Sequence, residues 1–354
     1  PRSSIERRPS SFCGDYVAAS RRNQSSAPFL SRPGQRVLGL YREVFGRSGL
    51  LLCEWLPTLP LRAITVGMFT EGGLVDIEMI VGEAMPDKLM RKFLVPAGKP
   101  LSLKSIPTDD TLGWDKDSAK GELAKTIALM AFEQHRLMAE AKQSLLIVLQ
   151  GRDASGKDGL VRHVMTGMNP AGVQVTSFKV PAGTERMHDY LWRCHAACPA
   201  KGEVGVWNRS HYEDILVPRV KNLVDEDTWS RRYRHVRDFE HMLVDEGTRV
   251  IKFYLHVSHD VQRQRLQKRI DNPESSWKHD PSDLSDRKIW PLYENAYEDV
   301  LRETSRPNAP WYVVPADVKW SRDLVVAKII LNALQEMDPQ VPPPDDTLHG
   351  ITVE

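Results

Sequence analysis

The sequence predicts a three-layer α/β fold on a mainly parallel five-stranded sheet, and three observations carry that expectation. Ser144–Gln150 (Ser-Leu-Leu-Ile-Val-Leu-Gln) is a short, continuous apolar run, which suits a strand buried on both faces. Gly151, Gly156 and Lys157 follow it at the spacing of the phosphate-binding pattern G-x-x-x-x-G-K-[ST], and a helix-like stretch begins at once. From there apolar strand-like runs alternate with helix-like ones, the pattern of a parallel sheet covered by its crossovers.

Taken in order, Phe93–Pro107 reads as extended, and Ser118–Ala141 has helical spacing through Leu123, Ile127, Met130 and Leu137. Strands are expected at 144–150, 172–180, 203–207, 248–257 and 311–315. Helices are expected at 157–168, 184–197, 227–246, 259–270, 283–304 and 322–337. The beginning of the chain is different. Residues 1–40 hold seven Arg, no Lys and eight Ser, with only Glu6 and Asp15 acidic, a composition that does not favour independent folding. It weakly resembles an organelle transit peptide, with a simple extension as the other reading. Residues 41–88 contain apolar runs without a sustained period. We therefore expect a poorly defined, partly disordered extension at 1–88, one domain at 89–338 and a Pro-rich tail at 339–354.

Composition narrows the function classes. An apolar content of 41% over 354 residues supports a sizeable core, and a net charge of +1 gives no global case for a nucleic-acid partner. Four cysteines, scattered at 13, 53, 194 and 198, favour a reducing compartment over a disulfide scaffold. No run reaches the ~20 apolar residues of a membrane span. A cytoplasmic protein without a membrane partner is expected.

The chemistry concentrates in two segments. The loop after the first strand turns backbone N–H groups onto an anion, and the following helix adds the positive end of its dipole. Asp158 stands where Ser or Thr would hold Mg²⁺ in that pattern, and a carboxylate serves the same ion. The second segment is Val206–Val220, where an apolar strand ends in Asn-Arg-Ser-His-Tyr-Glu-Asp. Asn208 occupies the place of a Walker-B aspartate, Arg209 and Arg219 are cations for a transferring phosphoryl group, and Glu213 or Asp214 is a candidate metal ligand. His211 reads as a hydrogen-bond partner, not a nucleophile. Residues 228–270 also carry ten Arg and Lys against five acids, a local excess suited to a polyanion. Arg263, Arg265, Lys268 and Arg269 lie where a mobile lid is expected, and Lys179 and Arg193 are further candidates for a phosphate channel.

The ordered set of motifs closely resembles the polyphosphate kinase 2 family. It comprises Gly151–Gly159, Arg162–Met165, Thr176–Pro181, Asn208–Asp214, Trp277-Lys278, Ala309–Asp317 and Lys319-Trp320, and spans roughly residues 91–338. Asn rather than Asp before Arg-Ser matches the branch that phosphorylates AMP and ADP. The resemblance implies a P-loop kinase fold related to thymidylate kinase, with a helical lid. It implies inorganic polyphosphate as donor, a nucleoside mono- or diphosphate (AMP, ADP and, in reverse, ATP) as partner, and a homo-oligomer. It assigns Asp153 to Mg²⁺, Lys157 to the phosphates at the transfer point and Arg209 to transition-state charge, with Asn208 and Asp214 completing the metal and phosphate surroundings. Gly151, Ala154, Ser155, Gly156 and Asp158 complete the loop. An ATP-dependent nucleoside-monophosphate kinase is the alternative, which Asp158 and the 208–214 motif disfavour. A silent phosphate-binding module is disfavoured by intact Asp153, Lys157 and Arg209.

Overall fold

The computed structural model describes the backbone of residues 63–70 and 73–80, and residues 87–354 apart from 275, 279, 346, 348–350 and 353–354. The expectation for residues 1–62 lies outside the described residues. Two units divide between Val81 and Gly82. In the first, strands β1 (Ala63–Thr70) and β2 (Gly73–Ile80) pair antiparallel, from Ala63 opposite Ile80 to Thr70 opposite Gly73. The sequence expectation had no hairpin here, because the apolar residues of both strands do not alternate strictly.

The second unit has a five-stranded, all-parallel sheet. Its strands are β3 (Ser144–Gln150), β4 (Val173–Ser177), β5 (Val204–Asn208), β6 (Thr248–His256) and β7 (Trp311–Pro315), in the spatial order β4-β5-β3-β6-β7. All seven residues of β3 are buried, as its continuous apolar run requires. Its alternate residues point to opposite faces. Leu145, Ile147 and Leu149 join one core with the helices α2 (Lys116–Glu140), α3 (Lys157–Val164) and α10 (Lys319–Met337). Leu146 and Val148 join the other with α5 (Glu213–Val220), α6 (Glu226–Asp245) and α9 (Trp290–Thr304). The three layers follow directly.

Helix starts are set by side-chain caps. Asp115 accepts from the N–H of Asp117 and Ser118 to begin α2, and Ser258 accepts from Val261 to begin α7 (His259–Asp271). Three helical features depart from the sequence expectation. Residues 184–197 form a 3₁₀ segment (Gly183–Met187) and the short helix α4 (Trp192–Ala196) rather than one helix. The expected helix 283–304 is two, α8 (Pro281–Lys288) and α9, broken at Ile289. Pro291 explains the break, since it can occupy only the first turn of a new helix. Helix α5 was not expected because Pro218 lies inside it. The stretch expected to be extended starts with the end of α1 (Asp87–Phe93) and carries a 3₁₀ turn at Leu103–Ser105.

β3 is flanked by β5 and β6: the crossover after β3 leads to β4 at one edge, and the one after β5 passes to β6 on the other side of β3. Parallel sheets bind ligands at such a switch point, beyond the carboxyl ends of the strands.

Candidate active site

Gly151–Gly156 connects β3 to α3 at that edge. Gly156 precedes the helix with φ 101°, and Ala154 also has a left-handed backbone, φ 60°. Gly156 is required twice over, because a Cβ there would also lie 2.0 Å from Nη1 of Arg322. The first N–H groups of α3 have no intrahelical partner and are available to an anion. Lys157 is buried, and its Nζ donates to the carbonyls of Gly151 (2.6 Å) and Arg152 (3.2 Å). Burial and the neighbouring Arg209 lower its ammonium to about 8, against the opposing pull of Asp153, Glu213 and Asp158.

The end of β5 meets this loop. The Arg209 N–H donates to the Leu149 carbonyl at 3.0 Å, and the residue holds φ 65°, a strained backbone that costs on the order of 1–3 kcal/mol. Its guanidinium contacts Asp153 Oδ1 at 2.5 Å and Glu213 Oε2 at 3.5 Å. Burial opposes the charge of Arg209, but Glu213 and Asp153 outweigh it and raise its basicity. Asn208 Nδ2 donates to Asp158 Oδ1 at 2.7 Å, a second link between the two loops.

The third wall comes from α7, α8 and α9. Gln262 Nε2 donates to the Asp153 carbonyl at 3.0 Å. Arg152, from the loop, lies 3.6 Å over the Trp290 ring and donates to the Trp290 carbonyl at 2.6 Å. Asp283 is buried and paired with Arg269 at 3.1 Å; burial and the proximity of Asp153 raise its carboxyl to about 6. Together these elements enclose a cleft of about 500 Å³, its open mouth included, lined by Asp153, Arg209, Glu213, Asp283 and Tyr293 among others. Its wall carries both charges, Arg152 and Arg209 against Asp153, Glu213, Asp283 and Asp286, which suits an anion with a cation bound to it.

A sequence model described as "Polyphosphate kinase 2 (PPK2)" matches residues 113–342. The chain belongs to the polyphosphate kinase 2 family. It is 48% identical over 267 residues to an AMP/ADP-polyphosphate phosphotransferase of Meiothermus ruber, covering 75% of this chain and 100% of the relative. It is 38% identical over 265 residues to an ADP-polyphosphate phosphotransferase of Rhodopseudomonas palustris, covering 71% of this chain and 92% of the relative. A crystal structure of polyphosphate kinase 2 from Arthrobacter aurescens superposes with a TM-score of 0.68 at 39% identity, covering 71% of this chain and 91% of that one.

In this polyphosphate kinase 2 chain Gly151, Asp153 and Arg209 line the cleft, while Lys157 is tied to the loop carbonyls of Gly151 and Arg152 and Asn208 pairs with Asp158. Other expected site residues lie elsewhere. Asp214 does not line the cleft: its carboxylate accepts from Arg193 Nη2 at 3.1 Å, its carbonyl accepts from Arg232, and the cleft-facing acid is Glu213. The reason is helical geometry, since adjacent residues at the start of α5 point ~100° apart. Burial raises the carboxyls of both, with Arg193 opposing at Asp214 and Arg209 at Glu213. Arg193 is buried and donates to the Lys179 carbonyl at 2.6 Å, whereas Lys179 itself is exposed. Arg219 is engaged by Asp299 (2.6 Å) and the Tyr233 hydroxyl, and lies over Trp229.

The expected lid residues are divided. Arg263 and Lys268 are exposed, Arg269 reaches Asp283, and Arg265 is committed to four backbone carbonyls, those of residues 154, 155, 316 and 317. The basic excess at 228–270 is also less of a surface than its count implies. Lys252 is fully buried against Glu240, and Arg249 pairs with Glu336. Arg152, Asp283 and Gln262 were missed by sequence reasoning. Arg152 is a variable position of the loop pattern, and the other two become part of the site only through packing of α7 and α8.

The residues present fit a hard divalent cation. Asp153 and Glu213 bring carboxylate oxygens to the cleft, while among the described residues no three His, Cys, Asp or Glu converge on one point. One or two carboxylates suffice for a divalent cation that completes its shell with substrate phosphates and water.

Proposed function

We propose that this chain transfers a phosphoryl group from inorganic polyphosphate to AMP or ADP, reversibly. The observation that carries this reading is the meeting of the Gly151–Lys157 loop with Arg209 and Asp153 in one anion-binding cleft, in a member of the polyphosphate kinase 2 family. Relatives named as AMP/ADP- and ADP-polyphosphate phosphotransferases support the choice of donor and acceptor. The ATP-dependent monophosphate kinase is disfavoured on the same grounds.

The loop N–H groups and Lys157 receive the donor phosphates, and Arg209 faces the charge that spreads over the equatorial oxygens as the bond to the leaving chain lengthens. An oxygen of the nucleotide's terminal phosphate forms the new P–O bond, and the polyphosphate leaves shorter by one unit. The attacking oxygen is already anionic, so no general base is needed. Asp153, with Glu213 beside it, would hold Mg²⁺, which would neutralise phosphate charge. Arg209 meets Asp153 at 2.5 Å and must release it in part to reach the substrate. Arg263 and Lys268 face outward to meet the polyphosphate chain.

We further place residues 89–338 as the kinase domain, working as a homo-oligomer in the cytoplasm. Among the described residues no helix is long and apolar enough to cross a membrane. The test is direct. The protein is incubated with polyphosphate, Mg²⁺ and either AMP or ADP, without ATP, and the nucleotides are separated. Formation of ADP or ATP supports the reading. Inert nucleotides with polyphosphate, and phosphorylation of AMP with ATP, would establish the alternative.

A further inference from the structure

Two arginines from different helices, neither of which lines the cleft, converge on the same carbonyl of the Gly151–Lys157 loop. Arg265 of α7 donates through Nη1 to the carbonyls of Ala154 (3.1 Å) and Ser155 (3.2 Å). Its Nη2 donates to Ala316 (2.7 Å) and Asp317 (2.9 Å), in the turn between β7 and α10. Arg322 of α10 donates through Nη1 to the same Ser155 carbonyl at 3.2 Å. It is 1% exposed, and its Nε and Nη2 both grip Asp323 Oδ1, at 2.9 and 2.6 Å. The other oxygen of Asp323 meets His163 Nδ1 of α3 at 2.9 Å. Each guanidinium is thus anchored independently of the loop.

A trans peptide points its C=O and N–H in opposite directions. With the Ser155 carbonyl held by two cations, the N–H of Gly156 is turned to the opposite side, where the first-turn amides of α3 and the anion site lie. Donation by a cation also polarises that peptide and makes its N–H a stronger donor. Arg322 lies so close to Gly156 that no side chain fits between them.

We infer that Arg265 and Arg322 are positioning residues of the phosphate loop, clamping the Ser155 carbonyl so that the Gly156 N–H is aimed at the bound phosphate. The inference rests on the loop being the phosphate site, as proposed above. It gives Arg265 a role different from that of a lid cation, and it gives Arg322 one that no motif marks.

The test reads the Gly156 amide itself. The sequence contains two Ser-Gly steps, Ser48-Gly49 and Ser155-Gly156, so the full chain labelled with ¹³C-carbonyl serine and ¹⁵N-glycine gives two selected amide signals. A Ser48→Ala variant assigns them. Inorganic tripolyphosphate with Mg²⁺ is titrated into the wild type, Arg265→Gln and Arg265→Lys, and turnover and nucleotide KM are measured in parallel. In the wild type the Gly156 signal moves. In Arg265→Gln it starts from a different position and moves less. Tripolyphosphate affinity falls roughly ten-fold, the size of one lost charge-assisted hydrogen bond. Turnover falls with nucleotide KM little changed, and Arg265→Lys recovers part of both. Arg322→Lys, which keeps the charge but not the fork, gives the same pattern and serves if Arg265→Gln does not fold. A lowered melting temperature with wild-type Gly156 shifts, affinity and turnover would overturn the clamp and leave the phosphate site standing. A wild-type Gly156 signal unmoved by tripolyphosphate would overturn the phosphate site and the clamp with it.

Discussion

Glu240 of α6 and Lys252 of β6 meet at 2.5 Å with both side chains inaccessible to water, directly beneath the segment that carries Arg209 and Glu213. The Tyr212 hydroxyl donates to Glu240 Oε1 at 2.7 Å and accepts from Lys252 Nζ at 3.0 Å, and His211 Nε2 lies 3.2 Å from the same carboxylate. Lys252 also donates to the Thr304 carbonyl at 2.9 Å. Burial opposes the charge on Glu240, but Lys252 and His211 outweigh it and hold its carboxyl below the usual range. The two residues between Ser210 and Glu213 are therefore fastened to the core, which fixes where the cleft-facing residues on either side of them stand.

Removing one partner leaves the other charge buried and alone. Lys252→Met is expected to cost about 3–5 kcal/mol of folding stability, whereas Lys252→Met/Glu240→Leu recovers much of it. Urea denaturation of the three proteins decides this. A single variant within about 1 kcal/mol of wild type would show that the pair carries little.

Lys157, Asp153 and Arg209 are expected to act in the reaction more than in folding. Lys157→Ala, Asp153→Asn and Arg209→Ala should each lower turnover by ~10²–10³, the usual cost of one electrostatic contact to a transition state. Polyphosphate-driven turnover of AMP and ADP, with circular dichroism to verify folding, is the measurement. Near-normal rates in all three would falsify the site.

Asp283 gives a pH signature. Its carboxyl is raised to about 6 from the usual 3.8, first by burial and then by Asp153, with Arg269 opposing. The folded protein therefore holds this proton more tightly than the unfolded chain. The stabilisation is complete below about pH 4 and is lost as pH rises through about 6. Asp283→Asn cannot lose the proton. Its melting temperature relative to wild type should rise between about pH 4 and 7, whatever the constant offset from the changed contact with Arg269. A difference that stays flat across this window would refute the assignment.

Arg263 and Lys268 are exposed on α7, unlike Arg265. Arg263→Ala/Lys268→Ala should leave stability within about 0.5 kcal/mol per site. The same change should raise the polyphosphate KM and flatten its rise with salt, since exposed charges are screened beyond ~8 Å at physiological ionic strength. An unchanged KM across a salt series would remove these two residues from the polyphosphate path.

Much of the architecture was legible in the sequence because the signals were local. The bounds of β3 and β7 match the expected strands, since four or five consecutive apolar residues leave little freedom in a sheet buried on both faces. The loop was legible for the same reason: two glycines and a lysine at fixed spacing between a strand and a helix state their own geometry. The separation of α8 from α9 was not read although Pro291 marks it, because amphipathic spacing runs through Ile289. Nor was the choice between Glu213 and Asp214. Both are acids in one motif, and only the packing of α5 on α6 and α9 decides which of them faces the cleft.

The sequence by itself determined the parallel α/β plan, the Gly151–Lys157 loop and the family, because strand burial and loop conformation depend on residues adjacent in the chain. The tertiary structure alone decided the partners. It brought Asp153 to Arg209 across 56 positions, Arg322 to Ser155 across 167 and Arg265 to Ser155 across 110. A cation's role is set by the groups that surround it. Lys252, Arg265 and Arg269 count alike as basic residues in the sequence. In the fold, the first is a buried core ion, the second a clamp on backbone carbonyls and the third the partner of Asp283.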